Sequence, residues 1–353
     1  MIPIFDGHND TLTKMYSLEN GLDLFFNGTQ KCDIDLPKAK QGNLIGGNFA
    51  IFVPPKQSAK ESDPMYGMKF TKEGYKKKLA NPIKKSYAQE YTNSILKFLK
   101  LLEDYAKGAI LTINKYEDLR DCLEKEKLGV LLHFEGAEVI ERDLSNLGSY
   151  YQRGLRSLGL VWSRPNLFGT GVPFEFPNTP NIGSGLSDEG KKLVKECNKL
   201  GIIIDLAHIN EEGFWDVEKN SEHPLVVSHA GVHSICPSTR NLTDKQIKAI
   251  GDTNGIIGVM FESSNIRPDG RLDENTSISI IVDHIDYIIK KIGVDHVGFG
   301  SDFDGATMPN SLNNVSQLPM LIKNLKKRGY TKKSIEKIAY RNWIRVFKDT
   351  WHH

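Results

Sequence analysis

Cysteine is scarce in this sequence, and its positions form no motif. Four cysteines occur in 353 residues, at positions 32, 122, 197 and 236, without a Cys-x-x-Cys pair. This pattern excludes the disulfide framework of a small secreted domain. We therefore expect reduced thiols in a cytoplasmic protein.

Long apolar runs and an excess of one charge are also missing. No run approaches the roughly 18 residues of a membrane-spanning helix, and the first apolar stretch begins at residue 2, which leaves no room for a signal peptide. The 46 Lys and Arg residues nearly balance 44 Asp and Glu residues, for a formal charge of +2. We therefore expect no membrane span, no membrane binding and no nucleic-acid partner.

A glycine-rich nucleotide motif is absent as well, since no Gly-x-Gly-x-x-Gly follows the first apolar stretch. This absence disfavours an open doubly wound sheet, the main alternative for the pattern that is present. Eight apolar stretches alternate with helical patterns, beginning at residue 2 and continuing at 45–53, 129–135, 157–162, 202–208, 225–229, 256–261 and 296–302. Eight such strands predict a (β/α)8 TIM-type barrel, formed by one domain over residues 1–353.

Three of the intervening helices are well marked. Apolar spacing predicts a helix over 89–105 and another over about 277–292. A third is expected from an N-cap at Ser187 to a stop at Gly201. The segment of about 54–87, by contrast, has no clear periodicity and exceeds the roughly 12–15 residues of an ordinary loop. A lid over the site and a mobile surface excursion both fit that segment.

The opening strand ends in His8-Asn9-Asp10. Side chains two residues apart on a strand point to the same face, so His8 and Asp10 project together. An imidazole and a carboxylate suit a cation such as zinc, which binds N and O ligands at about 2.0–2.2 Å. Because the same residues also serve as ordinary turn or capping groups, the pair alone does not establish a metal site.

Other predicted strands end in the same kind of residue. The metal-capable residues at strand ends are His8, Asp10, Glu135, His208, His229 and Asp302. In a barrel the C-terminal ends of the strands surround one mouth, so these residues converge. Three imidazoles and two carboxylates match two zinc ions that share a bridging carboxylate, and a third carboxylate is left over.

Short motifs accompany these residues. They are Asp6-Gly-His-Asn-Asp10, Glu135-Gly136, Gly154-Leu-Arg156-Ser-Leu158, Gly185-Leu-Ser-Asp, Gly201-Ile-Ile-Ile-Asp205-Leu-Ala-His208, Ser228-His229, Arg240-Asn241 and Gly300-Ser-Asp302-Phe-Asp304-Gly305. In this order the set resembles the membrane (renal) dipeptidase family of zinc metallopeptidases. The resemblance implies a metal-dependent barrel hydrolase, here of a bacterial, cytoplasmic type.

The resemblance also implies a role for each residue. It assigns His8 and Asp10 to one zinc ion, His208 and His229 to the other, and Glu135 to the bridge between them. It makes Asp302 the acid/base residue and Arg240 the group that binds the C-terminal carboxylate of the substrate. Chemistry supports these roles, because two zinc ions lower the pKa of a bridging water towards about 7 and so provide a hydroxide nucleophile.

The sequence departs from the family at the end of the fourth predicted strand. Trp162 stands where many members have a histidine that is thought to help stabilise the oxyanion. Because an indole offers an N–H donor but no charge, we expect Trp162 or Asn166 to provide part of that contact, or the zinc to act without it. The remaining internal histidines match no family site and are expected to be structural: His133, His223, His233, His284 and His296. The terminal pair at 352–353 is given no role.

The sequence thus predicts a zinc-dependent dipeptidase that hydrolyses free dipeptides through a metal-bridging hydroxide. The alternative is a binuclear-metal hydrolase of another carboxylate-bearing amide, such as a lactam or an N-acyl amino acid, because one barrel supports many substrates. A non-catalytic binding barrel is disfavoured by the presence of all five ligands together with Asp302. The sequence does not fix the oligomeric state, and a homodimer is compatible with it.

Overall fold

The computed structural model describes residues 1–56 and 67–351. The terminal His352-His353 pair and part of the 54–87 segment lie outside these ranges. The described residues contain twelve strands, numbered along the chain: β1 (Ile4–Asn9), β2 (Leu44–Phe52), β3 (Lys69–Phe70), β4 (Tyr75–Lys77), β5 (Ile110–Thr112), β6 (Leu128–Glu135), β7 (Leu155–Gly159), β8 (Phe174–Phe176), β9 (Ile203–Asp205), β10 (Val226–Ala230), β11 (Ile256–Val259) and β12 (Val297–Phe299).

Eight of these strands close into a parallel barrel. Their order around the barrel is β1, β2, β6, β7, β9, β10, β11 and β12, and β12 pairs with β1 to complete the ring. The barrel strands are buried on both faces, as their near-continuous apolar sequences predict. The predicted (β/α)8 barrel is therefore confirmed.

Helices cover the outside of the barrel. The described residues contain α1 (Thr11–Ser17), α2 (Gly21–Asn27), α3 (Leu36–Gly42), α4 (Lys85–Ala106), α5 (Tyr116–Glu124), α6 (Leu147–Gln152), α7 (Asp188–Leu200), α8 (Glu211–Asn220), α9 (Asp244–Asp252), α10 (Ser263–Ile266), α11 (Ile278–Ile292), α12 (Leu318–Lys327), α13 (Lys332–Glu336) and α14 (Asn342–Thr350). Short 3-10 turns lie at Val294–His296, Asn310–Leu312 and Val315–Gln317, and a π-helical turn lies at Lys337–Arg341. No helix among the described residues is long and apolar enough to span a bilayer.

The three predicted helices correspond to α4, α7 and α11. The Ser187 side chain accepts a hydrogen bond from the Gly190 N–H, and Gly201 ends α7 with a φ of 69°. This left-handed conformation is one that glycine adopts without the steric cost of a Cβ. Capping residues at both ends of α7 thus predicted its limits correctly.

A small second sheet was not predicted. It contains β3, β4 and β8 in antiparallel pairs, with Tyr75 opposite Phe176. Two of these strands belong to the 54–87 segment, so its described part after residue 67 is partly ordered as a hairpin. Strands of two or three residues are too short to show an alternating pattern, and β5 was missed for the same reason. Residues 57–66, where the predicted lid or excursion would also lie, are outside the described residues.

Candidate functional site

Six side chains from one rim of the barrel converge on a single cluster. They belong to β1, β6 and β10 or to the residues just after β1, β9 and β12, and they are His8, Asp10, Glu135, His208, His229 and Asp302. Three overlapping sets of three residues drawn from them each place their ligand atoms within 4.8 Å of one another. The structure therefore brings together the five predicted metal ligands and the predicted acid/base residue.

Glu135 occupies the centre of this cluster. Its Oε1 lies 3.0 Å from His208 Nε2, 3.7 Å from His8 Nε2 and 3.8 Å from His229 Nε2. Burial raises the pKa of this carboxyl well above its usual range, and Asp10 raises it further, while His8 acts in the opposite direction. One carboxylate oxygen near three imidazoles is the arrangement that a bridging ligand needs.

The hydrogen bonds behind His229 fix its tautomer. Ser228 Oγ donates to Asp205 Oδ2 at 2.6 Å and also lies 2.8 Å from His229 Nδ1. Because a hydroxyl has a single proton, Ser228 Oγ accepts from Nδ1–H, and His229 Nε2 carries a lone pair. This Nε2 points into the cluster, 3.1 Å from His208 Nε2. A carboxylate that orients a histidine in this way is a common support of metal sites.

His208 reaches the cluster from a left-handed backbone position, with a φ of 64°. Such strain in a residue other than glycine is concentrated at functional sites. The ring is supported by Ser163 Oγ, which lies 2.9 Å from His208 Nδ1. Burial lowers the pKa of both His208 and His229 well below the usual range. Both imidazoles are therefore neutral, which is the form that binds metal.

His8 and Asp10 contribute buried atoms without partners. Among the described residues, neither ring nitrogen of His8 nor Oδ1 of Asp10 has a hydrogen-bond partner. Although burial favours the neutral imidazole, Glu135 and Asp10 raise the pKa of His8 to about 10. Unpartnered buried nitrogen and oxygen atoms are costly unless a cation binds them. The donor set of the cluster therefore fits a metal ion.

Asp302 lies beside these candidate metal ligands. Its Oδ1 lies 3.9 Å from His8 Nε2, and its backbone N–H donates to the His8 carbonyl at 3.0 Å. Its φ is 66°, so Asp302 is, after His208, the second residue of the cluster with a left-handed backbone conformation. Burial raises the pKa of Asp302 to about 7, while His8 lowers it, and a bound cation also acts to lower it. A carboxyl group in this setting can transfer a proton near neutral pH.

Arg240 lies next to the histidine side of the cluster. It is only 5% exposed, and its Nη2 donates to the His229 carbonyl at 3.3 Å. Among the described residues its guanidinium has no other hydrogen-bond acceptor. Burial lowers the pKa of Arg240, whereas the nearby Asp302 and Glu135 raise it. The guanidinium thus remains a cation with donors to spare.

The structure separates the two residues that were candidates for the oxyanion contact. The Trp162 ring lies against the cluster, with its centroid 5.8 Å from that of His208. Asn166 instead folds its own loop, because Nδ2 donates to the Leu160 carbonyl at 2.8 Å and Oδ1 accepts from the Phe168 and Gly169 N–H groups at 2.8 and 3.2 Å. The amide of Asn166 is therefore committed to backbone groups.

Sequence reasoning missed the residues that support the histidines. Ser228 and Asp205 lay within recognised motifs but received no role, and Ser163 directly follows Trp162. His133, which was expected to be structural, lies inside the barrel, and its Nε2 is 3.5 Å from Asp205 Oδ2. A nitrogen of His8 also lies within 4.8 Å of ligand atoms of His133 and Asp205. A polar residue inside an otherwise apolar strand is the signal that could have identified His133.

Gly305 brings its backbone close to two acidic residues of the cluster. A Cβ at this position would overlap Asp10 Oδ2 and lie 2.7 Å from Asp302 Oδ1. We expect Gly305→Ala to displace both carboxylates, at a cost of roughly 1–3 kcal/mol, and to weaken metal binding and activity. Zinc titration and kcat measure the effect. Gly148→Ala is the matched control, because a Cβ there meets no atom within 4 Å, and equal losses in the two variants would contradict the prediction.

The chain matches a known protein family over nearly its whole length. Residues 1–352 match the family described as membrane dipeptidase (Peptidase family M19). A Klebsiella pneumoniae protein, described as an uncharacterized protein in the pqqA 5′ region, is 41% identical over 256 residues, which cover 72% of this chain and 94% of that protein.

Two solved structures are similar over the same length. One is a metallo peptidase from Rhodobacter sphaeroides liganded with a phosphinate mimic of the dipeptide L-Ala-D-Ala, with a TM-score of 0.94, 39% identity and 99% of each chain covered. The other is dipeptidase AC, a metallo peptidase of family M19, with a TM-score of 0.94, 38% identity, and coverage of 100% of this chain and 99% of that chain.

Proposed function

The chain belongs to the membrane dipeptidase family, peptidase family M19, and is a metallo-dipeptidase; on this basis we propose that it hydrolyses free dipeptides with two zinc ions. We assign His8 and Asp10 to one ion, His208 and His229 to the other, and Glu135 to the bridge. The observation that carries this proposal is the position of Glu135 Oε1, 3.0 Å from one imidazole nitrogen and less than 4 Å from two more.

The chain's own contribution at this centre is to keep His208 and His229 neutral and to orient them. When bound, two zinc ions supply a nucleophilic water at neutral pH and polarise the scissile carbonyl. Asp205 and Ser228 hold His229 in the required tautomer, and Ser163 supports His208. Burial of these groups lowers the local dielectric constant and so strengthens the interactions with developing charge.

We assign the C-terminal carboxylate of the dipeptide to Arg240. Its buried guanidinium donates one hydrogen bond to the His229 carbonyl. The other N–H groups can therefore form a bidentate pair with a carboxylate. Fixing that end of the substrate holds its only peptide bond at the cluster. A tripeptide held by the same carboxylate would carry one more residue on the N-terminal side of the cluster, so selection against longer peptides has to come from the space on that side.

Two further residues are assigned to proton transfer and to the hydrogen bond with the substrate's carbonyl oxygen. Asp302 borders His8 and is the carboxyl group that remains once the five ligands are assigned, so it donates the proton to the leaving amine. Trp162 offers its indole N–H to the carbonyl oxygen as it gains charge. Asn166 shapes the loop after β7 rather than binding substrate itself, since its amide is already hydrogen-bonded.

The assignment of Arg240 predicts that the substrate needs a free C-terminal carboxylate. Amidating the C-terminus should cost about 1.5–3 kcal/mol, or roughly 10–150-fold in kcat/KM, the range for losing a charge-assisted hydrogen bond. Arg240→Lys should lower kcat/KM and reduce the discrimination between acid and amide, because an ammonium cannot form the bidentate fork. A panel of dipeptides, dipeptide amides and tripeptides with zinc-loaded protein measures both effects.

The control for this experiment is Arg328→Lys, which changes an exposed arginine paired with Asp283 and Asp286. It should leave kcat/KM unchanged. If the wild-type protein cleaves dipeptide amides as fast as free dipeptides, the carboxylate is not recognised, and the role assigned to Arg240 is wrong. Equally fast cleavage of tripeptides would refute the restriction to dipeptides.

A further inference from the structure

Two aromatic side chains border the metal-ligand cluster. Phe52 ends β2 and Trp162 follows β7, and their ring centroids lie 4.8 Å apart. Phe52 is opposite Glu135 in the β2–β6 register, and Trp162 lies against His208. Both side chains are partly exposed. These two residues, here named the aromatic pair, therefore present apolar surface beside the position of the scissile bond.

A buried ion pair supports the aromatic pair from behind. Arg164 is fully buried, and its guanidinium carbon lies 5.4 Å from the ring centroids of both Phe52 and Trp162. Its Nε donates to Glu138 Oε1 at 2.6 Å, whereas Nη1 and Nη2 have no partner among the described residues. The positive end of Arg164 thus faces the rings, which holds them in place by cation–π attraction.

The strand order places Phe52 across the barrel mouth from Arg240. Arg240 lies on the loop after β10, and β2 is four strands away from β10 in either direction around the ring. A dipeptide with its carboxylate on Arg240 and its scissile carbonyl beside Glu135 therefore extends its N-terminal residue towards the aromatic pair. These two proposed contacts set the direction of the substrate.

We propose that the aromatic pair binds the side chain of the substrate's N-terminal residue and selects apolar and aromatic side chains over small and cationic ones. This inference rests on the proposed function, because it takes the orientation of the dipeptide from Arg240. An apolar side chain removes ring surface from water, and an aromatic one adds a favourable ring–ring contact. A lysine or arginine side chain would instead lose hydration against the rings, near a guanidinium whose Nη1 and Nη2 already have no acceptor among the described residues.

A panel of dipeptides that share a C-terminal alanine tests the subsite. We expect Leu-Ala and Phe-Ala to exceed Gly-Ala by roughly 10–200-fold in kcat/KM, and Lys-Ala to fall below Leu-Ala. Phe52→Ala and Trp162→Ala should reduce the ratio of Leu-Ala to Gly-Ala. Trp162→Phe keeps an aromatic ring but removes the indole N–H, so it should preserve that ratio even where kcat falls. If an alanine variant binds no zinc or unfolds, the corresponding leucine variant replaces it, with a smaller expected loss of the ratio.

The matched control is Tyr105→Leu, which changes one of two neighbouring aromatic residues that lie outside the site. Phe26 and Tyr105 also have ring centroids 4.8 Å apart, and the control should leave the selectivity unchanged. Equal cleavage of all N-terminal side chains, or a preference for Glu-Ala, would overturn the subsite and leave the dipeptidase assignment intact. Failure of the zinc-loaded wild-type protein to cleave any dipeptide would overturn the proposed function itself.

Discussion

Glu135→Gln is expected to remove most of the bound metal and nearly all activity. The carboxylate lies within 4 Å of three imidazole nitrogens, so its charge acts on both proposed ions at once. Removing one charge from a buried ionic cluster costs about 3–5 kcal/mol, which corresponds to roughly two to nearly four powers of ten in affinity. Elemental analysis of the purified protein, together with kcat/KM at rising zinc concentration, measures this loss.

Variants of ligands on one side of the cluster provide the comparison for Glu135. Asp10→Asn and His229→Asn each remove a group from only one proposed ion, so each should retain more metal and more activity than Glu135→Gln. Two ions retained in Glu135→Gln would refute the bridging role. Full wild-type activity with a single tightly bound ion would refute the binuclear centre.

The barrel was predictable because its strands are buried on both faces. The stretch 256–261 is continuously apolar and the stretch 129–135 is apolar except for His133 and Glu135, and this near-continuous pattern distinguishes a parallel barrel from a half-exposed sheet. Where strands shorten, the signal fails: the stretch predicted over 202–208 contains only the three-residue strand β9. The remaining residues of that stretch turn so that His208 adopts its left-handed backbone conformation.

The convergence of the candidate metal ligands was predictable for a related reason. Each lies at or just after the end of a barrel strand, and the barrel topology brings those ends to one mouth. The supports of the ligands depend on contacts between distant residues, such as Ser163 with His208, which no local pattern reveals. Asn166 was named as an alternative to Trp162 for the oxyanion contact because the sequence does not show the hydrogen bonds of its amide. Only the folded loop shows that the amide is already bonded to backbone groups. The count and identity of the ions, the homodimer and the cytoplasmic location stay predictions.

Asp302→Asn should lower kcat by roughly 10²–10⁴ while leaving the metal content unchanged. Asparagine keeps the shape of the side chain but cannot transfer a proton to the leaving amine. The five assigned ligands are untouched by this change, and the backbone N–H of residue 302 can still donate to the His8 carbonyl. Steady-state kinetics and elemental analysis on the same preparation test both halves of the prediction.

The competing role for Asp302 is that of a sixth metal ligand. Its carboxylate oxygen lies within 4.8 Å of ligand atoms of His8 and His229, so proximity alone does not separate the two roles. A proton donor tolerates a small displacement, so Asp302→Glu should recover part of the activity that Asp302→Asn loses. A ligand role predicts instead that the asparagine variant loses an ion and regains rate when zinc is raised. That result would assign Asp302 to the metal centre, and the proton for the leaving amine would then have to come from another group.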